Sequence, residues 1–281
     1  LIANADVVAR FVKRAQMIRE IRAFLEARGF LEVETPMIQP LAGGARARPF
    51  ETFYHALNAK MYLRIAPELY LKRLLVGGFD RVFELNRNFR NEGLDRSHNP
   101  EFTMLEVYVA YGDMRTMKQL VQDLIVQVAE KVNGHLRAGP PEQPIDLTPP
   151  WREVTYAELI RSVAGADWDH IDVAEARQRA RALHLEVGDD WDKVAVAHEI
   201  YEKLVEKTLR EPTFVTRLPA ELIPLARRCE DDPSVVDVYE LVIDGREISP
   251  GYSELNDPLE QRRRFEAQAG GEASRVDEDF L

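Results

Sequence analysis

The chain reads as an α+β protein, and three features of its sequence say so. Residues 81–108, RVFELNRNFRNEGLDRSHNPEFTMLEVY, set two apolar, strand-like runs on either side of a charged loop. Residues 235–243 and 246–256 alternate around Asp244-Gly245, a dipeptide that favours two-residue hairpin turns. Helical periods occupy residues 5–28 and 114–132. Strand pairs and helices in separate runs suit the α+β class.

Composition narrows the field before any motif is read. A chain of 281 residues can bury a sizeable core, as one large domain or two small ones. With 37 basic against 48 acidic residues the net charge is -11, so a general electrostatic grip on nucleic acid is not expected and only a local basic groove remains open. The single cysteine, Cys229, excludes an internal disulfide framework and a cysteine-based zinc cluster, and fits a reducing compartment. A packing bystander is its plainer reading. No run approaches the roughly 18 apolar residues of a membrane span, and the amino end has no apolar signal core, so no membrane contact and a cytoplasmic location are expected. The start at Leu1 and the close on Phe280-Leu281 after an acidic stretch fit a piece of a longer chain.

In chain order, residues 5–28 place Val8, Phe11, Ala15, Ile18, Ile21, Phe24 and Leu25 at helical spacing, and Gly29 ends the helix. LEVET then alternates like a strand until Pro36. Such a helix and strand build either a subunit interface or an ordinary unit inside a monomer. Gly43, Gly44 and Ala45 are small enough for a ligand to approach the backbone, with Arg46 and Arg48 beyond, although Gly-Gly pairs are commonly turns. After a short strand at 61–63, Pro67 opens a helix that closes on Gly77-Gly78 and places Glu68 in its first turn. Glu68 on these grounds alone is an ordinary N-terminal helix charge.

Residues 134–150 carry five prolines and read as a loop or linker. Residues 151–210 are mainly helical, with Thr155 a candidate cap and amphipathic stretches at 172–183 and 192–208. No chemistry stands out there: His170, His184 and His198 lack ligand spacing and suit surface or packing positions. Residues 258–268 form a last helix.

Two stretches carry more charge than architecture needs. The 81–108 loop holds Arg90, Glu92, Asp95, Arg96, His98 and Asn99 where a two-residue turn would suffice. In the 235–256 hairpin Glu240, Glu247 and Glu254 recur every seven residues, and the turn lets Glu240 and Glu247 share a face. Two carboxylates on a buried face repel unless a cation joins them, and Mg²⁺ accepts such a pair together with phosphate oxygens. A solvated hairpin with acidic edges is the alternative.

Four strings resemble the class II aminoacyl-tRNA synthetases, and within them the lysyl-tRNA synthetase catalytic domain: GFLEVETPMIQPLAGGARARPF, YLRIAPELYLKRLLVGGFDRVFELNRNFRNEG, HNPEFTMLEVYVAY and YELVIDGREISPGYSELND. They cover about residues 5–125 and 212–268. The resemblance implies an antiparallel sheet flanked by helices, with 134–210 a linker and helical insertion inside a partial catalytic domain. It implies a homodimer built on the first helix and LEVETP. The implied reaction activates lysine with ATP to lysyl-adenylate, then transfers it to tRNA(Lys), with Mg²⁺ as cofactor. By resemblance Arg90 is the catalytic residue, holding the lysine carboxylate and the α-phosphate. Arg90, Glu92, His98, Asn99, Phe102 and Glu240 bind ATP, and Glu240 and Glu247 hold the metal. Gly44, Glu68, Met104, Glu106, Tyr108, Tyr252 and Glu254 bind lysine, with Glu254 and Tyr108 at the side-chain ammonium and Glu68 and the Gly44 backbone at the α-amino group.

Three departures accompany the match. Pro250 stands where the family's NGFSELND has an Asn that helps to bind the substrate carboxylate, and proline offers no donor. The Gly-rich third signature, whose Arg grips the γ-phosphate, does not occur within the 281 residues, nor does the anticodon-binding β-barrel. Two further readings stay open: a ligase that attaches lysine to elongation factor P, and a catalytically inactive synthetase-like binding module.

Overall fold

A computed structural model describes residues 4–45, 47–95 and 98–269. The chain forms two compact units, one from Leu1–Tyr111 with Pro258–Leu281 and one from Gly112–Asp257.

In the first unit, helix α1 (Ala5–Glu26) buries only Phe24 and Leu25. Val8 and Phe11 on the same predicted stripe stay 45% and 61% exposed, so the apolar period is real but its amino half is uncovered in the single chain. The chain leaves α1 through Gly29, whose φ of 78° lies in the left-handed region that glycine tolerates. Strand β1 (Leu31–Glu32) is shorter than LEVET promised and pairs parallel with a later strand through Leu31↔Val82 and Glu32↔Phe83. The cause is a change of partner. Val33 N–H still donates to Phe83 O, but the Thr35 N–H and hydroxyl donate to the Glu84 carboxylate instead, which leads the chain out of the ladder.

Strands β2 (Ile38–Gln39), β3 (Glu51–Tyr54) and β4 (Ala59–Leu63) form a small antiparallel sheet in the order β2-β4-β3. Helix α2 (Glu68–Val76) follows, with Pro67 at the capping position, one residue earlier than the sequence suggested. Strands β5 (Arg81–Phe89) and β6 (Glu101–Val109) then pair antiparallel without interruption from Arg81↔Val109 to Phe89↔Glu101. At the end of β4 sits Arg64, wholly buried, with its Nη1 2.7 Å from Glu84 Oε1. Its fork also donates to Arg87 O, Thr35 O and Thr35 Oγ1.

In the second unit, α3 (Met114–Asn133) starts at Asp113, whose side chain accepts from Thr116 N–H, and ends at left-handed Gly134. The proline-rich stretch contains a minimal hairpin, β7 (Arg137–Ala138) with β8 (Ile145–Asp146). Strand β9 (Arg152–Thr155) leads into α4 (Tyr156–Ala164), where Thr155 and Glu158 complete a reciprocal capping box. Helices α5 (Val173–Ala182) and α6 (Lys193–Ile200) are capped by Asp172 and Asp192. The chain then makes a π-helical turn, Tyr201–Val205, and a 3₁₀ turn, Glu206–Thr208. Strands β10 (Thr213–Thr216), β11 (Val238–Ile243) and β12 (Arg246–Tyr252) complete a sheet of order β12-β11-β10-β9, antiparallel except for β9–β10. The last helix, α7 (Pro258–Ala269), belongs to the first unit.

The described residues therefore form seven α-helices with mainly antiparallel strands, a mixed composition that suits the expected α+β class. Alternation along β11 sorts that sheet's two faces. Val238 and Val242 pack against α4, α6 and the turn after α6 through Tyr156, Ile160, Ile200 and Tyr201, while Tyr239 and Leu241 pack with Met114 of α3, Trp151 and Phe214. Glu240, between Val238 and Val242, faces the same helices.

Taking one partner from the Arg64–Glu84 pair strands a charge in the core. Arg64→Met should therefore lower the unfolding free energy by about 3–5 kcal/mol, measured by denaturant titration. Adding Glu84→Leu should recover a good part of that loss.

Candidate active site

In the first unit the β5–β6 ladder aligns the expected ligands by parity. Glu84 opposes Glu106, Asn86 opposes Met104, and Asn88 opposes Phe102, so Phe102, Met104, Glu106 and Tyr108 fall on one face. Arg90 keeps that register one step past β5, since its N–H donates to Pro100 O. Its guanidinium lies over the Phe102 ring at 5.2 Å from the centroid, and its Nε donates to Ile65 O at 3.4 Å. A planar fork held against a ring edge of the sheet is suited to bidentate recognition of carboxylate or phosphate.

Glu68, in the first turn of α2, is buried and paired with Lys72 one turn on, 2.6 Å apart. Gly44, at φ 83°, packs so closely that a Cβ built there would lie 3.2 Å from Glu68 Cβ and 3.3 Å from Ala66 Cβ. Gly44 and Glu68 are therefore close neighbours. Burial is the main cause that pushes the Glu106 carboxyl up to about 7, and the charges of Glu68 and Glu84 add to it. The Tyr108 hydroxyl, donating to Glu106 Oε2 at 2.9 Å, works in the opposite direction. The Lys72 ammonium also pulls the Glu106 carboxyl down, so a cation near this face favours the ionised carboxyl.

The loop residues are more open. Glu92 Oε1 accepts from Arg48 N–H at 3.4 Å, His98 Nδ1 meets Asp95 Oδ2 at 2.8 Å, and Asn99 Nδ2 donates to Glu101 O at 2.6 Å. All three side chains are exposed. Arg46 and Arg96 lie outside the described residues.

In the second unit the hairpin turns through Asp244 and Gly245, both with positive φ, as its sequence required. Val242 pairs with Glu247, and Glu240 stands two residues from Val242, so the two carboxylates share a face. Ile248 is then skipped, because Leu241 pairs with Ser249. That extra residue is a β-bulge, and it shifts the parity of everything after it. Tyr252 consequently pairs with Val238 and joins the face of Glu240 and Glu247. Glu254, half-buried, lies two residues further on and bridges to Ala226. Pro250 opposes Glu240 on β12, which is an edge of this sheet, and there a missing N–H is tolerated.

Burial and then the Glu247 charge push the Glu240 carboxyl up to about 8, while the Tyr201 hydroxyl at 3.3 Å pulls it back. Among the described residues no group of three or more His, Cys, Asp or Glu side chains is arranged to hold a metal ion. Two neighbouring carboxylates with oxygen-only donors fit Mg²⁺, which completes its sphere with water and phosphate oxygens.

Comparison with known proteins shows the family. The profile of the family described as tRNA synthetases class II (D, K and N) matches residues 1–281. The chain belongs to this family. The lysine–tRNA ligases of Syntrophomonas wolfei, Carboxydothermus hydrogenoformans and Moorella thermoacetica are 51%, 48% and 48% identical to it. Each alignment covers all of this chain and 58–59% of the relative's length, so this synthetase chain spans under two thirds of the proteins it matches.

Sequence reading missed several residues around these candidate groups. Lys72 was visible as the i+4 partner of Glu68, a spacing that pairs opposite charges on a helix. Arg64 and Glu84 gave no local signal, since they are 20 residues apart and meet only in the core. Tyr201 and Glu206 were hidden in a stretch that reads as plain helix. Cys229 shows no sign of activation, as burial pushes its thiol up.

Because the folded chain holds the Glu106 proton more tightly than its ordinary value of 4.5 allows, its contribution to stability is present below that value and is lost as pH rises through about 7. Glu106→Gln, which cannot ionise, should therefore be the more stable form above pH 7 by up to about 3 kcal/mol, and the gap should close toward pH 4.5. Thermal unfolding from pH 4 to 8 measures it.

Proposed function

We propose that this chain is the greater part of the catalytic domain of a lysine–tRNA ligase, with residues 134–210 a linker and helical insertion within it, working in the cytoplasm as a homodimer. The observation that carries the specificity is the Glu106 carboxyl. It is held near neutrality on a face shared with Tyr108 and Met104 and under the charge of Glu68, where a substrate ammonium would restore its ionised form. The exposed apolar half of α1, at Val8, Phe11 and Val12, supports a subunit interface there. No described helix is long and apolar enough to cross a membrane.

The reaction is attack by the lysine carboxylate on the ATP α-phosphate, with pyrophosphate leaving. No proton has to be removed from the nucleophile, so placement and neutralisation of charge supply the rate. Arg90 donates from its fork to the lysine carboxylate and to an α-phosphate oxygen, which brings two anions together and stabilises charge on the phosphorus oxygens. Phe102 carries Arg90 on one side and offers a flat apolar surface to adenine, while Glu92, His98 and Asn99 supply loop contacts to the nucleotide. Glu68 and the Gly44 backbone take the α-amino group. Tyr108, Glu106 and Met104 are the first unit's candidates for meeting the side chain, and Tyr252 and Glu254 are the second unit's. Glu240 and Glu247 would hold Mg²⁺, which when bound neutralises phosphate charge. In the second step the tRNA(Lys) terminal hydroxyl takes the lysyl group and AMP leaves. Pro250 removes one side-chain donor that the family uses for the lysine carboxylate, and Arg90 is left as the principal group for that anion.

The full-length gene product should exchange pyrophosphate into ATP with lysine and not with aspartate or asparagine, and should charge tRNA(Lys). Exchange driven by another amino acid, or lysylation of elongation factor P in place of tRNA, would refute this reading. Arg90→Ala should lower lysine-dependent exchange by at least about 10²–10³-fold, with the fold retained by circular dichroism.

A further inference from the structure

The helical insertion supplies side chains to both hairpin carboxylate residues. Helix α6 gives way at Ile200 to one wide turn, Tyr201–Val205, closed by Glu206 N–H donating to Tyr201 O. Wide turns of this kind are rare and cluster at functional sites. Their geometry explains the choice here. At about 100° per residue, groups five apart on a regular α-helix point about 140° away from each other. A turn closed over five residues brings them back toward one side.

The two residues so aligned are Tyr201 and Glu206. Tyr201, only 2% exposed, donates Oη to Glu240 Oε2 at 3.3 Å. Glu206 Oε1 accepts from the Glu247 backbone N–H at 3.2 Å. One end of the turn thus reaches the side chain of the first carboxylate residue, and the other end fixes the backbone of the second. The tyrosine ring cannot swing freely. It is stacked 6.5 Å from the His198 ring and lies 5.1 Å from the Tyr156 ring, in the buried core between α4, α6 and the sheet. Tyr156 Oη is buried beside it and has no hydrogen-bond partner among the described residues, so this layer carries polar capacity that packing alone does not require.

We propose that Tyr201 and Glu206 are positioning residues for the divalent-cation site of the hairpin. This rests on the reading that Glu240 and Glu247 hold the metal. Tyr201 engages one oxygen of Glu240 and sets the plane of that carboxylate. Glu206 anchors the Glu247 peptide next to the β-bulge, where the ladder is interrupted and a backbone N–H would otherwise be loosely held. Groups that orient metal-binding side chains commonly change metal affinity 10–100-fold when removed.

The test measures Mn²⁺ affinity of the full-length protein by electron paramagnetic resonance, with a non-hydrolysable ATP analogue present, beside lysine affinity by calorimetry. Tyr201→Phe removes one hydroxyl and should weaken Mn²⁺ about 10–100-fold while lysine affinity in the absence of metal is unchanged. Glu206→Ala should do the same, and Glu206→Gln, which keeps an acceptor oxygen for the Glu247 N–H, should restore most of the affinity. Glu240→Gln is the control. If it binds Mn²⁺ as tightly as the parent protein, the metal reading itself fails. If Glu240→Gln loses Mn²⁺ but Tyr201→Phe and Glu206→Ala keep parental affinity, the positioning role is overturned and the metal reading stands. Should Tyr201→Phe not fold, the Glu206 pair decides the question alone.

Discussion

A guanidinium with no exposed surface needs buried acceptors, and in the first unit Arg64 finds them on two separate segments. It pairs with Glu84 of β5, takes Arg87 O from the same strand, and takes Thr35 O and Oγ1 from the chain leaving β1. Its own carbonyl accepts from Phe89 N–H, and the next carbonyl, Ile65 O, accepts from the Arg90 side chain. The position of Arg90 is therefore tied to a charge that cannot be moved without leaving Glu84 unpaired in the core. One nitrogen, Nη2, has no hydrogen-bond partner among the described residues, so the cluster is held by geometry and not by a complete set of bonds. The same pair shortens β1, because Glu84 takes the Thr35 donors that a longer strand would have given to the ladder.

The second unit solves a different problem with parity. A strand between two packed layers must alternate, and β11 does so, with Tyr239 and Leu241 toward α3 and Val238 and Val242 toward α4 and α6. Glu240 is the exception in chemistry though not in direction. It sits among apolar neighbours with Glu247 on the paired strand, and its carboxyl is held well above the usual range. The Ile248 bulge and the wide turn after α6 are both irregularities of one residue. Each rotates a side chain, Tyr252 in one case and Glu206 in the other, onto the face that Glu240 occupies. Irregular backbone at such places redirects chemistry more cheaply than a new element would.

One electrostatic feature recurs in both units of this class II synthetase chain. Glu106 in the first unit and Glu240 in the second are both carboxylates that burial and like charge keep partly protonated near neutral pH. Such groups store a demand for cations. Cys229, whose thiol burial pushes up, is not such a group.

Much of this was legible in the amino-acid sequence because it is local. The Asp244-Gly245 hairpin, the Thr155 cap, the helix after Pro67 and the alternation of Phe102, Met104, Glu106 and Tyr108 each follow from a few consecutive residues and a fixed period. The long strings around Arg90 and Glu240 likewise marked the family and its expected site residues. Tertiary structure alone decided the rest. Arg64 and Glu84 meet across 20 residues of sequence, and Tyr201 reaches Glu240 across 39. The π-helical turn, the bulge at Ile248 and the early end of β1 leave no mark in hydrophobic period, because each is a response to a partner from elsewhere in the chain. Local spacing sets which face a side chain takes, whereas burial and long-range partners set what charge that side chain can carry once it is there.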